Sequence, residues 1–439
     1  MLAVISAFAA TTYLFSVSLT VLFTATAFDK DFTRKLFGGA SVVRRFLGLV
    51  ELLSSAISEQ PLHLFGFKLA AIVIATIFGA FNYTLACFFK WVDYCNCAAL
   101  LVLFVESLRE KEVFRETIKD MTGGEPSELA EGALSLDWRR ILLPVSTPDN
   151  IVLYPNIPYA TNEESTSAVE TTKDYDQPRR MMLDVYAWSK SPMDAARRPV
   201  LVHIHGGAWK MGSKNLLYPH EKTLITENNW IVVNIGYRLA PKNAYPTHLC
   251  DVKRALRWIK ASIPAFGGDP NFIVLSGDSA GGHLASMAAF TANEPEYQPG
   301  FELVDTTVQG VITFNGVLDV QNDHDRAVFF SRDIALQPKV DSAFLSKHSP
   351  IDIIKKAKEE NHLVPFLVLT GERDALVDCG DAQRFKETYD HALSEKTTQC
   401  TLVKLPGAHH VCYASWSPRG LYISRLCQVW CQQLYQKKK

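Results

Sequence analysis

Neither sign of charge dominates this chain: 45 Lys and Arg stand against 46 Asp and Glu in 439 residues, a formal charge of −1. Phosphate binding needs a clustered basic excess, so nucleic acid is excluded as a main partner. Cysteine is sparse. Nine over this length make no disulfide framework, and the lack of a C-x-x-C pair argues against a zinc ribbon or a thioredoxin-type redox site. Cys95 and Cys97 lie close together, but nothing nearby completes a ligand set. There is no internal repeat. With 48% hydrophobic and 21% charged residues, a disordered or fibrous chain is excluded as well.

Charge is missing altogether from residues 1–28. That run is long enough to cross a hydrocarbon core of about 30 Å as a helix. A secretory signal peptide fits poorly, since there is no basic n-region and the apolar run is too long. A second uncharged stretch, LAAIVIATIFGAFNYTLACFF, covers residues 69–89. A third apolar run, 95–105, is too short to span unless it borrows polar neighbours across Lys90 and Asp93. Residues 1–105 are therefore expected to form an N-terminal membrane region with two transmembrane helices, or three if the last run crosses. Such a protein is integral to the membrane, with the lipid bilayer as a partner. The loop between the first two helices carries Lys30, Arg34, Lys35, Arg44 and Arg45, which the positive-inside rule assigns to the cytoplasm. The side on which the rest of the chain emerges depends on the number of spans. Residues 106–134 read as an amphipathic connecting or cap region.

From residue 135 to 439 short apolar runs alternate with helical patterns. The runs 182–188, 200–206, 230–237, 272–277, 308–316, 364–371 and 401–407 read as strands, and 248–262 and 381–393 as helices. Val-, Ile- and Leu-rich runs that are hydrophobic on both faces suit a parallel sheet covered by helices, so the fold class is α/β. The polar stretch 161–172 reads as a surface loop or hairpin insertion.

The chemistry lies at the strand ends. FIVLSGDSAGGH, residues 272–283, is a strand, then Gly277-Asp278-Ser279-Ala280-Gly281, then a helix of small residues. G-x-S-x-G between strand and helix is a nucleophile elbow, which holds the serine hydroxyl exposed at a helix N-terminus. About 70 residues earlier, VLVHIHGGAW runs into Gly206 and Gly207, whose N–H groups are expected to meet an oxyanion together with that of Ala280. An activated serine needs a base and an orienter in the order Ser, Asp or Glu, His. Asp374 follows the strand VPFLVLTG and is favoured over Glu372 as the acid. His409 and His410 follow the strand TLVKLPG, and one of them should reach Ser279; His410 is favoured. No acidic cluster surrounds the histidine pair, so no metal is expected. His205 reads as a loop support and His203 as a satisfied core residue. Asp278 is either a substrate contact or simply a polar residue of the elbow.

The segments HGGAW, YRLAP, GDSAGG, GERDALV and PGAHH together resemble the hormone-sensitive-lipase-like branch of the α/β-hydrolases. Residues 293–310 are similar to bacterial esterases of that branch which carry membrane N-termini. The resemblance covers about residues 135–435. It implies a mostly parallel eight-stranded sheet, hydrolysis of carboxylic esters without a cofactor, and triad roles for Ser279, Asp374 and His410. The sequence departs from the branch at Ala208, where HGGG has a third glycine, and in its two adjacent histidines.

The expected function is thus a membrane-anchored serine carboxylesterase or lipase acting on a small-molecule or lipid ester. An arylformamidase-like amidase shares the same layout and is the alternative. A catalytically inactive hydrolase fold used for binding is disfavoured because the serine and the histidine are both present. Since the candidate residues all fall within 200–411, the domain from about residue 135 is expected to carry the site by itself.

Overall fold

The computed structural model describes residues 1–37, 41–123, 134–189, 197–393 and 400–438, without the side chains of residues 37 and 41–47. The chain begins with α1 (Leu2–Phe28), followed by a short helix Phe32–Phe37, α2 (Ser41–Glu59), α3 (Pro61–Ile77), α4 (Thr84–Arg109) and α5 (Lys111–Met121). At a rise of about 1.5 Å per residue, α1 is roughly 40 Å long, enough to cross a bilayer. Among the described residues, Leu2–Phe28 and Thr84–Met121 are the helical stretches long and apolar enough to do so.

The second of these corrects the expectation. Residues 69–89 are not one helix: α3 ends at Ile77, Gly79 takes φ +71°, and α4 starts afresh at Thr84. The run 95–105 instead forms the middle of α4, which carries Lys90 and Asp93 within it. Of the two charges that interrupt the run, Lys90 lies over the Phe81 ring at 4.6 Å, and Asp93 is neutralised by tertiary pairing. Asp93 is buried and pairs with the equally buried Lys68 of α3 at 2.5 Å, and it accepts a hydrogen bond from Tyr13 of α1 at 3.0 Å. An ion pair inside a helix bundle removes most of the penalty that an isolated charge would carry there. The stretch between the first two helices is not a loop either, since it includes α2. Pro61 opens α3 and disfavours helix at Gln60, and α2 and α3 meet there at 91°. Lys35 pairs with Asp29 at 2.7 Å and Arg34 with Asp31 at 3.2 Å; the side chains of Arg44 and Arg45 lie outside the described residues.

Beyond residue 134 the chain forms one eight-stranded sheet in the order β1-β2-β4-β3-β5-β6-β7-β8. The strands are β1 (Ile151–Pro158), β2 (Met182–Trp188), β3 (Arg198–Ile204), β4 (Ile231–Ile235), β5 (Gly268–Asp278), β6 (Gly310–Phe314), β7 (Phe366–Gly371) and β8 (Cys400–Leu405). Pairing from β4 through β8 is parallel, while β1–β2 and β2–β4 are antiparallel. β3, β4, β5, β6 and β7 are buried almost throughout, as two-sided apolar strands require.

β1 was not expected from sequence. It is a half-exposed edge strand with prolines at 155 and 158, Asn156 at φ +57° and a register irregularity, so neither alternation nor a continuous apolar run marks it. Residues 162–172 also differ from expectation: they form a helix, α6 (Asn162–Thr172), with only Ala168 buried. Its signal is the T-x-x-E capping box, in which Thr161 Oγ1 accepts from the Glu164 N–H and the Glu164 carboxylate accepts from the Thr161 N–H.

The remaining helices used below are α7 (Pro219–Asn228), α8 (Thr247–Ser262), α9 (Ala280–Phe290), α10 (Cys379–Ala392) and α11 (Pro418–Gln436). One apolar core lies between the sheet and the face that carries α8, α9 and α10. The other lies under α7 and α11. α5 belongs to this second core: Phe114 and Ile118 are fully buried, and the Phe114 ring packs on Tyr422 of α11 at 5.6 Å. The region 106–134, expected to connect or cap, thus sends its helix into the floor of the sheet.

Candidate active site

β5 leads straight into α9, and Ser279 stands at the junction with φ 51° and ψ −118°. Such a backbone costs about 1–3 kcal/mol and persists only where its surroundings enforce it. Here they do. The Ser279 N–H donates to Phe314 O at 2.9 Å, and its carbonyl accepts from His283 N and Val317 N, each at 3.2 Å. The flanking glycines let strand and helix cross. A Cβ on Gly277 would lie 2.3 Å from the Gly281 carbonyl oxygen, and one on Gly281 would lie 1.9 Å from that of Ile204. Ser279 is only partly buried, and Ala280 begins the helix, where an N–H has no intrahelical acceptor.

Gly206 and Gly207 follow β3, which runs parallel to β5 with Ile204 opposite Gly277. Gly206 packs so closely on the elbow that a Cβ there would meet the Asp278 carboxylate at 2.2 Å. Gly207, Ala208 and Trp209 all take positive φ, at 116°, 50° and 57°. Ala208 thus adopts a conformation that usually favours glycine, which fits the third glycine of the related motif. His205 supports this loop: its Nδ1 donates to Gly206 O at 2.8 Å, and its ring stacks on Tyr237 at 4.3 Å. Burial lowers its pKa to about 4, so it is neutral near pH 7.

Asp278 points inward. It is buried and bonds His203 Nε2 at 3.2 Å, while His203 Nδ1 pairs with Ser276 Oγ at 2.8 Å. Asp278 is therefore a scaffold residue. Burial would raise its pKa, but hydrogen bonds and attraction from His203, with a hydrogen bond from Tyr413, hold it below the usual carboxylate range. Among the described residues, His203, His220 and Glu221 come close enough to share a metal ion. His203 already has a partner on each nitrogen, and Glu221 caps α7 by accepting from Tyr218 N at 2.6 Å. Both ring nitrogens of His220 and Oε1 of Glu221, by contrast, are buried without a hydrogen-bond partner among the described residues.

At the far side of the sheet, Asp374 follows β7 and His410 follows β8. His410 Nδ1 donates to Asp374 Oδ2 at 2.6 Å, which leaves Nε2 as the free acceptor. Asp374 Oδ1 takes the N–H groups of Leu376 and Val377 at 2.8 and 2.9 Å, so the carboxylate is held at both oxygens. Burial would depress the His410 pKa, but attraction to Asp374, their hydrogen bond, and the charges of Glu51 and Asp278 raise it. The imidazolium is thereby stabilised. His409 takes no part in this pair. Its nitrogens reach Glu51 Oε1 and Ala27 O, both at 3.1 Å.

Asn315 joins the two halves. It follows Phe314, the acceptor for Ser279 N; its Nδ2 donates to His410 O at 2.6 Å, and its Oδ1 accepts from Gly371 N at 2.7 Å. Sequence reasoning passed over Asn315; the one available signal was an Asn able to take φ +48° in the TFNG stretch after β6.

All the candidate residues lie beyond residue 135, but two of the loops that carry them are bonded to the N-terminal helices. The loop bearing His410 is bonded along its length by the N-terminal helices. Ser58 donates to Gly407 O at 3.3 Å, Ser55 accepts from Val411 N at 3.3 Å, and Gln60 donates to Ser415 and Trp416 at 2.8 and 3.1 Å. Arg419 is fully buried between Glu59 and Glu110, and Glu110 also accepts from Gly407 N at 2.8 Å. The acid loop is tied as well: Arg373 donates to Ala27 O at 3.1 Å and to Glu106 at 2.9 Å, and Lys30 donates to Asp374 O at 3.2 Å.

A serine elbow after the fifth strand of this sheet, with an Asp–His pair carried past the seventh and eighth, is the arrangement of an α/β-hydrolase. Comparison with known proteins agrees. Residues 183–389 match the BD-FAE family. The chain is similar to esterase LipQ of Mycobacterium tuberculosis, 35% identical over 264 residues that cover 58% of this chain and 60% of the relative. It is likewise 35% identical to the probable carboxylic ester hydrolase LipM of the same organism, covering 56% of this chain and 57% of that one. Esterase B of Lactobacillus rhamnosis shares the fold at a TM-score of 0.52 and 20% identity, over 75% of this chain and 99% of the other. The chain has the α/β-hydrolase fold and is similar to esterases that share it. It spans about three fifths of the length of the curated relatives named here.

Proposed function

We propose that the chain is a membrane-anchored serine hydrolase that cleaves carboxylic esters through an acyl-enzyme. The observation that carries this reading is a strained, part-exposed Ser279 on the same sheet edge as a buried His410 whose Nδ1 is held by Asp374. In the first half-reaction Ser279 Oγ attacks the ester carbonyl carbon while His410 Nε2 takes the hydroxyl proton. The N–H groups of Gly206, Gly207 and Ala280 meet the tetrahedral oxyanion. The C–O bond to the alcohol breaks, His410 returns the proton to the leaving oxygen, and water repeats the sequence on the acyl-serine. Asp374 orients the imidazole and stabilises its cation without taking the proton.

The placing of α1 favours amphiphilic esters that reside in a bilayer. Ala27, one residue from the end of this spanning-length helix, offers its carbonyl to His409 and Arg373, the neighbours of the base and the acid. A C-terminal carbonyl of a helix is an orphan acceptor with partial negative charge, and a guanidinium suits it. A span that ends there keeps both loops at the level of the membrane surface. The outward faces of α3 and α4 carry Phe67, Val73, Ile77, Leu85, Phe88 and Trp91, all exposed, as lipid contact requires.

Fluorophosphonate labelling of membranes, with Ser279→Ala as the control, tests the nucleophile; the substituted protein should lose the label and about 10⁴–10⁶-fold of turnover. Side-by-side turnover of acyl esters of increasing chain length and of an N-formyl aryl amide tests the class. Preference for the formamide would replace the esterase reading by the amidase one. The full chain should resist carbonate extraction and leave membranes only with detergent.

A further inference from the structure

We infer that Glu51, on α2 and outside the sheet domain, is the positioning residue for His410. The inference rests on the ester-hydrolase reading above, because it assigns a role relative to the proposed base. Glu51 is buried, and its Oε1 accepts from the backbone N–H of His410 at 2.9 Å and lies 3.1 Å from His409 Nδ1. On the other side of the same residue, the His410 carbonyl is held by Asn315 at 2.6 Å. Both peptide groups of the base are thus pinned, one by a strand end of the sheet and the other by an N-terminal helix.

With its Cα fixed from two directions, the imidazole has little freedom beyond its own torsions, and the 2.6 Å bond to Asp374 sets those. Remove the Glu51 oxygen and the N-terminal side of His410 loses its tether, leaving the neighbouring contact from Ser55 to Val411 N at 3.3 Å. A buried carboxylate is costly unless hydrogen-bonded, and among the described residues the hydrogen bonds of Glu51 go to the histidine loop.

The test uses the full chain in detergent micelles with a water-soluble p-nitrophenyl ester. Glu51→Ala should lower kcat by about 10–100-fold with KM little changed, since a shift of about 1 Å in a reacting group costs that much. Glu51→Gln keeps an oxygen within reach of His410 N and should recover most of the lost kcat. A merely structural glutamate would not produce that rescue together with an unchanged KM. Wild-type kcat in Glu51→Ala overturns the inference, and so does a Glu51→Gln protein as slow as the alanine one. Should the alanine protein fail to fold, Glu51→Asp decides, because it keeps the charge but draws the acceptor back by one methylene: slowed turnover supports the inference and wild-type turnover overturns it. Ser279→Ala separates the two levels. If it is inactive while the Glu51 variants match the parent, only the positioning role falls; if it remains active, the ester-hydrolase reading falls first.

Discussion

The two halves of the candidate site are built by different means. The Ser279 half is local: strand, five-residue turn and helix are continuous in sequence, and its strained backbone is enforced by glycines that let β5, α9 and β3 touch. The His410 half is assembled from distance. Its loop follows β8, but besides those with Asp374 and Asn315 it makes hydrogen bonds with Ala27, Glu51, Ser55, Ser58, Gln60 and Glu110, each more than 290 residues earlier. An elbow can be specified by a short motif because steric exclusion acts between near neighbours. A loop whose backbone groups have no ladder to join must find acceptors wherever the tertiary fold supplies them. In this chain the supplier is the region that sequence analysis treats as an anchor.

That contrast can be broken at its chemical end first. His410→Ala should cost turnover nearly as much as loss of Ser279, about 10⁴–10⁶-fold, because members of one triad act as a unit. His409→Ala should cost far less, since its nitrogens serve Glu51 and Ala27 rather than Asp374. Ester turnover of the two proteins side by side decides it; equal, mild losses would remove the triad from the account.

The tertiary half can be tested without touching the chemistry. Arg419 lies between two buried glutamates from the N-terminal helices, Glu59 and Glu110, and pairs with both. Arg419→Ala should destabilise the protein by about 3–5 kcal/mol, the cost of leaving buried charge unpaired. Thermal unfolding in detergent measures it, and a shift under about 1 kcal/mol would mean that the helices are not locked to the loop through this residue.

The local half is tested by Gly281→Ala. The added methyl would fall 1.9 Å from the Ile204 carbonyl oxygen, so backbone must move. The expected destabilisation is about 1–3 kcal/mol with a loss of fluorophosphonate reactivity, as the elbow is pushed from β3. A stable, reactive protein would show that the crossing is less tight than its geometry. Smallest is Thr161→Ala, remote from both halves, which removes an N-cap and should cost about 0.5–2 kcal/mol with turnover unchanged.

Several features were legible in the chain itself. Seven of the strands, the elbow, the glycine pair after β3, and the order of acid and base follow from local patterns of period, turn chemistry and spacing. Asp374 and His410, the residues preferred over their neighbours, are bonded to one another at 2.6 Å. Less legible were β1, with its prolines and half-exposed edge, and α6, whose polar sequence hid a capping box.

What the amino-acid sequence determined on its own is therefore whatever depends on residues a few positions apart: which runs are strands, where a backbone can turn back on itself, and where charge is too scarce to stay in water. Only the tertiary structure decided that Asp93 is neutralised by Lys68, that residues 69–89 break at Gly79, and that Glu51 holds the peptide of His410. The reason is the range of the forces involved. Period, sterics and propensity act along the chain, whereas a buried charge or an orphan N–H is satisfied by any partner the fold brings within about 3 Å, and nothing in its own neighbourhood says which one that is.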